Sequence, residues 1–398
     1  MHYFIGADSG SQKHSIHIMS ENGERVKEFE IKNNLEGFKE LGTFVKNYEH
    51  VHLCFETTHG PLVDYLRNKN IKMYSVNPLK VKRFKQTSNV TGDKDDRIDA
   101  CTLSEYLKQH HAKMRPMVFS SQEIEELNMH RISHDRITKE HTRYTNRLTF
   151  LFRQYFPLYG ELFSGTAVNI LLHMVLHYPT WSELKRASEE EIVSFLTTHH
   201  YRVRRNIKRT LDKIRRYDQA VAPEVEVVLS QEAQLVAKML FLLKEQLRKI
   251  EHKMELILTQ HPLGEVFKSL PGAGKILAGK LCALFGDNKS RFHTANEVQA
   301  LFGTAPMNYK SGNYHRVMMR KACNKKARST LYQFAFTSMQ FCSWGKQYYD
   351  SQRAKGKTHS VSVRALSNKW LNIIFSMWKN EERYQEQTYT ERKIKNVA

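Results

Sequence analysis

The chain has 398 residues, with 62 Lys and Arg against 41 Asp and Glu, and a formal net charge of +21. This length is typical of roughly two or three domains, and 40% hydrophobic with 26% charged residues excludes a disordered chain. The charge excess favours a polyanionic partner. Since there is no apolar run of about eighteen residues and no signal-peptide pattern, we expect nucleic acid rather than a membrane.

The first hundred residues predict strands that alternate with helices. Strand-like stretches are followed by Gly or polar turn residues, and helical stretches by the next strand. The predicted strands are YFIGADSG, SIHIMS, RVKEFEI, HVHLCFETT and IKMYSVNP, and the predicted helices are NNLEGFKELGTFVKNY and PLVDYLRNK. This order indicates a mixed sheet with helices packed on it.

Helix dominates after residue 120. Ser120-x-x-Glu123 is typical of a capping box, and the helix that it opens would end at Phe156, before Pro157. Basic residues recur along it every four positions and would form one stripe, either a solvated face or a contact to a nucleic-acid backbone. The stripe consists of Lys139, Arg143 and Arg147.

Two further helical segments follow. Residues 201–216 are the densest basic run and predict a helix on a phosphate backbone, with a solvated surface as the alternative. Its candidate binding residues are Arg204, Arg205, Lys208 and Arg209. Apolar residues at helical spacing over 230–260 indicate an arm of a helical hairpin or a coiled coil, serving dimer contact or as a strut. Pro262 and Gly264 mark a boundary.

A Pro-Gly-x-Gly turn precedes an apolar helix in SLPGAGKILAGKLCALFGD, residues 269–287. Such a turn presents backbone N–H groups to an anion, as helix-hairpin-helix turns do for a DNA phosphate. The candidate binding residues are Gly272, Gly274 and Lys275. A phosphate-binding P-loop is excluded because Ile276 follows Lys275 where Ser or Thr is required.

Four acidic residues stand where they could share a cation. Asp8 and Glu56 end two predicted strands, and Asp96 and Asp99, three positions apart, begin a helix. Carboxylates gathered in this way repel each other unless a divalent ion lies among them, and such clusters hold Mg²⁺ in phosphoryl transfer. The alternative for each is a turn residue, a surface residue or a favourable helix start.

Several motifs together resemble the DEDD-type insertion-sequence transposases: FIGADSG, ETTHG, VNPLKVKRF and KDDRIDA, then LPGAGKILAGKLCALFGD, FGTAPMNYKSG and RALSNKWLNIIF. The resemblance implies an α/β plus α protein. A RuvC-like domain of the ribonuclease-H fold would span 1–156, a helical, coiled-coil region 157–262, and a mainly helical serine transposase domain with a helix-hairpin-helix-like turn 263–398.

The resemblance also implies site residues. Asp8, Glu56, Asp96 and Asp99 match the family's four acidic positions and would be catalytic ligands of Mg²⁺. Asp95 stands where the family has Thr, which leaves open whether Asp93 or Asp95 assists.

Ser311 matches the family's nucleophilic serine; without the resemblance it would be a turn serine. A serine that attacks a phosphodiester needs positive charge beside the phosphate oxygens, and the candidates that follow it are His315, Arg316, Arg320 and Lys321. Tyr309 and Tyr314 flank Ser311, but a tyrosine recombinase is disfavoured because its Arg…His-x-x-Arg…Tyr layout is absent.

The predicted function is DNA transposition through a phosphoserine intermediate. The resemblance implies target and donor double-stranded DNA, a noncoding bridge RNA as guide, and a dimer or tetramer with composite sites. The five scattered cysteines lack a C-x-x-C pair, which favours a reducing compartment, and we expect the bacterial cytoplasm, at the nucleoid. Three alternatives stay open: a metal-dependent nuclease or Holliday-junction resolvase that uses water, an RNA-independent DNA invertase, and a non-enzymatic nucleic-acid-binding protein.

Overall fold

The structure, a computed structural model, describes residues 1–67, 69, 71–88, 95–218, 221–312 and 314–387. The chain forms two compact units, Met1–Phe119 and Ser120–Ala398. No helix in the described part of the chain is both long and apolar enough to cross a bilayer.

The first unit is built on five strands: β1 (Tyr3–Ser9), β2 (Lys13–Ser20), β3 (Arg25–Lys32), β4 (Val51–Phe55) and β5 (Lys72–Ser75). They form one sheet in the order β3-β2-β1-β4-β5. The first three strands pair antiparallel, whereas β4 is parallel to β1 and β5 is parallel to β4. The mixed sheet expected from the sequence is therefore confirmed.

Helices cover both faces of this sheet: α1 (Leu35–Lys46), α2 (Pro61–Leu66), α3 (Pro78–Ser88) and α4 (Asp96–His110). Successive strand residues point to opposite faces. Ile5 and Leu53 therefore share a core with α1 and α2, whereas Phe4 and Cys54 share a second core with Leu103 of α4. The predicted strands and helices between residues 3 and 78 are all present.

The second unit is mainly helical, as expected. Its helices are α5 (Gln122–Tyr155), α6 (Pro157–Leu162), α7 (Asn169–His177), α8 (Trp181–Arg186), α9 (Glu189–Thr198), α10 (Arg204–Arg216), α11 (Pro223–Gln260), α12 (Leu263–Lys268), α13 (Gly274–Phe285), α14 (Ala295–Phe302), α15 (Lys325–Ser338), α16 (Ser343–Ala354) and α17 (His359–Asn380). Two short strands, β6 (Met307–Ser311) and β7 (Tyr314–Met318), pair antiparallel between α14 and α15. This two-stranded ribbon was not predicted.

The two longest helices, α5 and α11, pack against each other in opposite directions. Arg147 Nε lies 2.6 Å from Glu232 Oε1, and nearer the start of α5, His134 Nε2 lies 3.2 Å from Glu251 Oε1. The predicted helical arm at 230–260 is thus part of α11, and its packing partner is α5 of the same chain.

The α5–α11 pair joins two hydrophobic cores of the second unit. One core combines Ile124 and Leu258 with the helices from α12 to α17. The other combines Phe152 and Val236 with the helices from α6 to α10. Both α5 and α11 therefore supply side chains to both cores. The three-part division at residues 156 and 262 stays a prediction.

The predicted capping box at Ser120 and Glu123 is wrong. Ser121 is the N-cap of α5, and its hydroxyl accepts a hydrogen bond from the Ile124 N–H at 3.3 Å. The Asp287 carboxylate accepts the Ser121 N–H at 3.0 Å, which holds this serine rather than its neighbour at the helix start.

Candidate active site

Asp8 and Glu56 come side by side because of the register between β1 and β4. Ala7 pairs with Phe55 in this parallel ladder. Asp8 directly follows Ala7 and Glu56 directly follows Phe55, so the two acidic residues lie next to each other at the ends of neighbouring strands. Neighbouring strands lie about 4.8 Å apart. Both residues follow the alternation of Phe4 and Cys54, and this places them on the face of the sheet that α4 covers.

Gly6 lets α4 approach that face closely. A Cβ atom at residue 6 would lie 2.0 Å from the carbonyl oxygen of Ala100 and 2.6 Å from the backbone nitrogen of Ser104. Only a residue without a side chain therefore fits between the strand and the helix. The close approach brings Asp96 and Asp99, in the first turn of α4, toward Asp8.

The four carboxylates form one electrostatically coupled group, which we call the acidic cluster: Asp8, Glu56, Asp96 and Asp99. Burial, and then the charges of Asp96, Asp99 and Glu56, raise the pKa of Asp8 to about 6. Partial burial of the carboxylate and the charge of Asp99 raise the pKa of Glu56, although the residue is exposed. The structure thus brings together the four acidic residues that the sequence singled out.

Asp95 caps a helix in the structure, and its assistance to a metal ion stays a prediction. Its side chain caps α4 and accepts a hydrogen bond from the Arg97 N–H at 3.2 Å. A carboxylate at this position stabilises the helix start. Asp93, the other candidate, lies outside the described residues.

Sequence reasoning missed two residues of this site, Gly6 and Lys85. The Lys85 ammonium lies 2.7 Å from Asp99 Oδ1, and both side chains are partly buried. The signal was available, because Lys85 directly follows the VNPLKVKRF motif. Gly6 carried no signal beyond its place inside a strand.

The donor chemistry of the acidic cluster suits a divalent cation. Carboxylate oxygens are the ligands that Mg²⁺ takes. Burial and, after it, repulsion among the carboxylates raise the pKa of Asp8, and a cation would relieve that repulsion. Within the described residues, no group of three or more His, Cys, Asp or Glu side chains is arranged to hold a metal ion. Metal binding would therefore require these side chains to turn toward a common point.

Ser311 lies at the end of the ribbon in the second unit. It pairs with Tyr314, and Gly312 follows it with φ of 53°, a conformation that suits glycine. Every described residue of β6 and β7 is exposed. A Gly-Asn pair at 312–313, typical of a two-residue hairpin turn, is the signal by which the ribbon could have been predicted.

The register assigns the residues of the ribbon to two faces. Residues directly opposite each other in an antiparallel pair share a face, and successive residues alternate. The Ser311 face carries Met307, Tyr309, Ser311, Tyr314, Arg316 and Met318, and the opposite face carries Asn308, Lys310, His315 and Val317. Of the candidates near Ser311, Arg316 therefore shares its face and His315 does not, while Arg320 and Lys321 follow the ribbon.

The predicted basic stripe on α5 is partly balanced within the protein. Lys139 is exposed, but Arg143 pairs with Glu140 at 2.5 Å and Arg147 with Glu232 at 2.5 Å. Two of its three charges are therefore neutralised locally.

The basic run at 201–216 forms α10, as predicted. Thr210, Leu211 and Ile214 bury one side of this helix. The four predicted binding residues are all exposed: Arg204, Arg205, Lys208 and Arg209.

The glycine turn before α13 is also present. Gly272 and Gly274 have φ of 72° and 54°, so their conformations favour glycine. Lys275 Nζ lies 2.8 Å from Glu255 Oε2 of α11.

Both parts of the chain match transposase families. Residues 5–157 match the DEDD family of IS110 elements, described as "Transposase". Residues 264–350 match the family described as "Transposase IS116/IS110/IS902 family".

Curated relatives agree with these matches. The chain is 22% identical over 400 residues to the "Mini-circle putative transposase for IS117" of Streptomyces coelicolor, covering 96% of this chain and 95% of that protein. It is 26% identical over 301 residues to the "Insertion element IS110 uncharacterized 43.6 kDa protein" of the same organism, covering 73% and 72%. A 24% match over 220 residues covers 55% of this chain and 55% of the "Insertion element IS900 uncharacterized 42 kDa protein" of Mycobacterium paratuberculosis.

The protein is therefore a transposase, an enzyme that recombines DNA. The chain belongs to the DEDD-type insertion-sequence transposases of the IS110 kind. Membership implies DNA as a partner, and nuclease-like domains of the DEDD type generally use divalent metal ions.

Proposed function

We propose that the protein cleaves and rejoins DNA through Ser311 as the nucleophile. The observation that carries this proposal is the position of Ser311 at the end of a ribbon whose strand residues are all exposed, with Arg316 on the same face. An exposed hydroxyl can reach a phosphodiester in duplex DNA, and a guanidinium beside it can bind the phosphate oxygens.

In the proposed step, Ser311 Oγ attacks the phosphorus of a DNA phosphodiester. A P–Oγ bond forms, the P–O3′ bond breaks, the serine proton is released, and the departing 3′ oxygen takes up a proton. The products are a phosphoserine link and a free 3′-hydroxyl. Attack by another 3′-hydroxyl reverses the step and rejoins DNA. One phosphodiester replaces another, so no nucleotide hydrolysis is needed.

The acidic cluster would hold Mg²⁺, with Asp8, Glu56, Asp96 and Asp99 as ligands. Bound there, the ion would supply positive charge to the phosphate oxygens. We further propose that the cluster of one subunit serves the Ser311 of another in a dimer or tetramer. The strand order and the carboxylates at the ends of β1 and β4 support a RuvC-like, ribonuclease-H fold for the first domain.

The resemblance implies that a noncoding bridge RNA guides the choice of target and donor DNA. The net charge of +21 and the exposed basic residues of α10 support simultaneous binding of RNA and DNA. In this proposal the enzyme works in the bacterial cytoplasm, at the nucleoid.

A metal-dependent nuclease that uses water is the second candidate. The observation that favours it is the acidic cluster itself, since DEDD-type domains are nuclease-like. In this alternative Ser311 is dispensable and the cluster alone carries the reaction.

Covalent trapping separates the two. The protein, coexpressed with the flanking noncoding DNA of its element, is mixed with a plasmid that carries the element junction, quenched in denaturant, and analysed for protein joined to DNA. We expect an adduct at Ser311 that requires Mg²⁺ and is lost in Ser311→Ala. Ser360→Ala, an exposed serine at the start of α17, is the control and should retain the adduct. Cut DNA without an adduct, at an equal rate in Ser311→Ala, would establish the nuclease instead.

A further inference from the structure

Two tyrosines lie beside Ser311 on the same face of the ribbon. Tyr314 pairs directly with Ser311, and Tyr309 precedes Ser311 by two residues. Their ring centroids are 6.3 Å apart with an interplanar angle of 74°, and Tyr309 and Tyr314 are 56% and 54% exposed. The rings therefore contact each other edge to face while their remaining surfaces stay open to solvent.

The ribbon also exposes apolar side chains besides the two tyrosines. Met307 and Met318, which lie on the same face, are also exposed, by 44% and 42%. An isolated two-stranded ribbon is only marginally stable in water, and a cluster of exposed apolar and aromatic side chains marks a binding surface. We therefore expect this ribbon to bind a partner.

Charge identifies the partner as a nucleic acid. No Asp or Glu occurs between Glu297 and Asp350. The basic residues in this interval are Lys310, Arg316, Arg320, Lys321, Lys325, Lys326, Arg328 and Lys346. Phosphates are attracted to a surface with this excess of positive charge.

We propose that Tyr309 and Tyr314 bind an unstacked base of the DNA next to the phosphate that Ser311 attacks. This rests on the proposed function of Ser311. Aromatic rings that line a basic groove hold bases by stacking, without sequence preference, because every base has a π face. Arg316 pairs with Tyr309 across the ribbon, so a phosphate contact and a base contact lie on neighbouring residues of one face.

The proposed role for the tyrosines is distinct from catalysis. They position the strand. A base held on the rings would stay out of the duplex stack during strand exchange and would keep the neighbouring scissile phosphate at Ser311. The target is the nucleotide that flanks the cleavage point.

The experiment measures binding without chemistry, in the Ser311→Ala protein. The probes are a fluorescent single-stranded oligothymidylate and an abasic strand of equal length, compared by fluorescence anisotropy. The Ser311→Ala protein should prefer the thymidine strand, and Tyr309→Ala/Tyr314→Ala should reduce that preference about tenfold. Tyr309→Phe/Tyr314→Phe should retain it, because phenylalanine keeps the stacking surface.

Val317→Ala is the matched control, since Val317 is equally exposed but lies on the opposite face, and it should retain the preference. Thermal unfolding should be unchanged in all variants because the rings are exposed. A 5-iododeoxyuridine strand should crosslink under light to Tyr309 or Tyr314.

The proposal is overturned if the alanine variant loses affinity for both strands equally, or for neither. It is also overturned if the tyrosine substitutions alter self-association without DNA, which would make the ribbon a contact between copies. Because Ser311 is absent from every binding measurement, failure here is distinguishable from failure of the covalent mechanism, which the adduct assay reads separately.

Discussion

The Lys85 ammonium lies 2.7 Å from Asp99 Oδ1, inside the acidic cluster. A lysine in this place neutralises one carboxylate where the proposal puts a divalent ion, so ammonium and metal compete for Asp99. Lys85→Met should therefore destabilise the protein in EDTA by about 1 kcal/mol. The same substitution should enlarge the rise in unfolding temperature that MgCl₂ produces.

Lys82→Met provides the control for this experiment, because Lys82 is an exposed residue of the same helix. It should leave unchanged both the stability of the protein in EDTA and the rise in unfolding temperature that MgCl₂ produces. An equal Mg²⁺ response in Lys85→Met and the wild type would contradict competition at Asp99.

Gly6→Ala should disrupt the contact between β1 and α4. The added methyl group would overlap the carbonyl oxygen of Ala100, which is backbone and has little room to move. We expect a loss of about 3 kcal/mol in the free energy of unfolding and, in any protein that folds, a loss of adduct formation. Denaturant unfolding and the adduct assay measure the two effects.

Gly160→Ala is the matched control, since nothing lies within 4 Å of a Cβ at that position. Alanine there should be neutral or stabilise α6 by up to about 1 kcal/mol. Equal stability of the two variants would show that α4 is not held as closely to β1 as the structure has it.

Arg316 should matter more than His315 for the attack by Ser311. The register places Arg316 on the Ser311 face and His315 on the other. Arg316→Ala should slow adduct formation in single-turnover experiments by about 100-fold, with partial recovery in Arg316→Lys, whereas His315→Ala should have little effect. A larger loss in His315→Ala would identify the imidazole as the important group and reverse this assignment.

His52 should make stability depend on pH. Burial, with the charges of neighbouring groups, lowers the pKa of His52 from 6.5 to about 4. Its Nε2 lies 3.0 Å from His2 Nδ1 and its Nδ1 3.1 Å from the Tyr74 hydroxyl. The neighbouring basic groups are His2, His50, Lys72 and His111.

Because the folded-state pKa of His52 is below the unfolded value, the unfolded chain binds the proton first as pH falls. The contribution of neutral His52 to the free energy of unfolding is therefore fully present above about pH 6.5 and is lost progressively as the pH falls toward 4. In His52→Phe, unfolding temperature should fall less than in the wild type between pH 7.5 and 4.5. His59→Phe, at an exposed histidine, should follow the wild type; a parallel fall in His52→Phe would refute the assignment.

The exposed residues of α10 should set the salt dependence of nucleic-acid binding. Replacing Arg204, Arg205, Lys208 and Arg209 by Ala removes four candidate phosphate contacts. The slope of log affinity against log salt should then decrease by about three to four, as measured by titration at several salt concentrations. Arg215→Ala should change the slope less, because Arg215 already pairs with Glu189. An unchanged slope in the fourfold variant would leave α10 as a solvated surface.

The sheet of the first unit was predictable because its strands are short, apolar and bounded by Gly and polar residues. The pairing of Ala7 with Phe55 was not, since spacing along a chain carries no information about the partner across a parallel ladder. The ribbon escaped prediction for a different reason. Both of its faces are exposed, so β6 and β7 lack the apolar alternation by which a half-buried strand is recognised.

The start of α5 shows how tertiary contacts override local patterns. Ser120-x-x-Glu123 has the residues of a capping box, whereas Ser121 is followed at the corresponding position by Ile124, which cannot complete one. Ser121 caps the helix because Asp287, distant in the sequence, holds its backbone N–H.

The paired helices α5 and α11 have 34 and 38 residues, or about 51 and 57 Å at 1.5 Å per residue. Each supplies side chains to both cores of the second unit, so together they fix the distance between the two cores. Inserting about seven residues in both helices would increase that distance by roughly 10 Å and keep the helix faces aligned. Inserting a single residue would instead rotate one core by about 100° relative to the other. Helix length and phase, rather than any one side chain, therefore set this spacing.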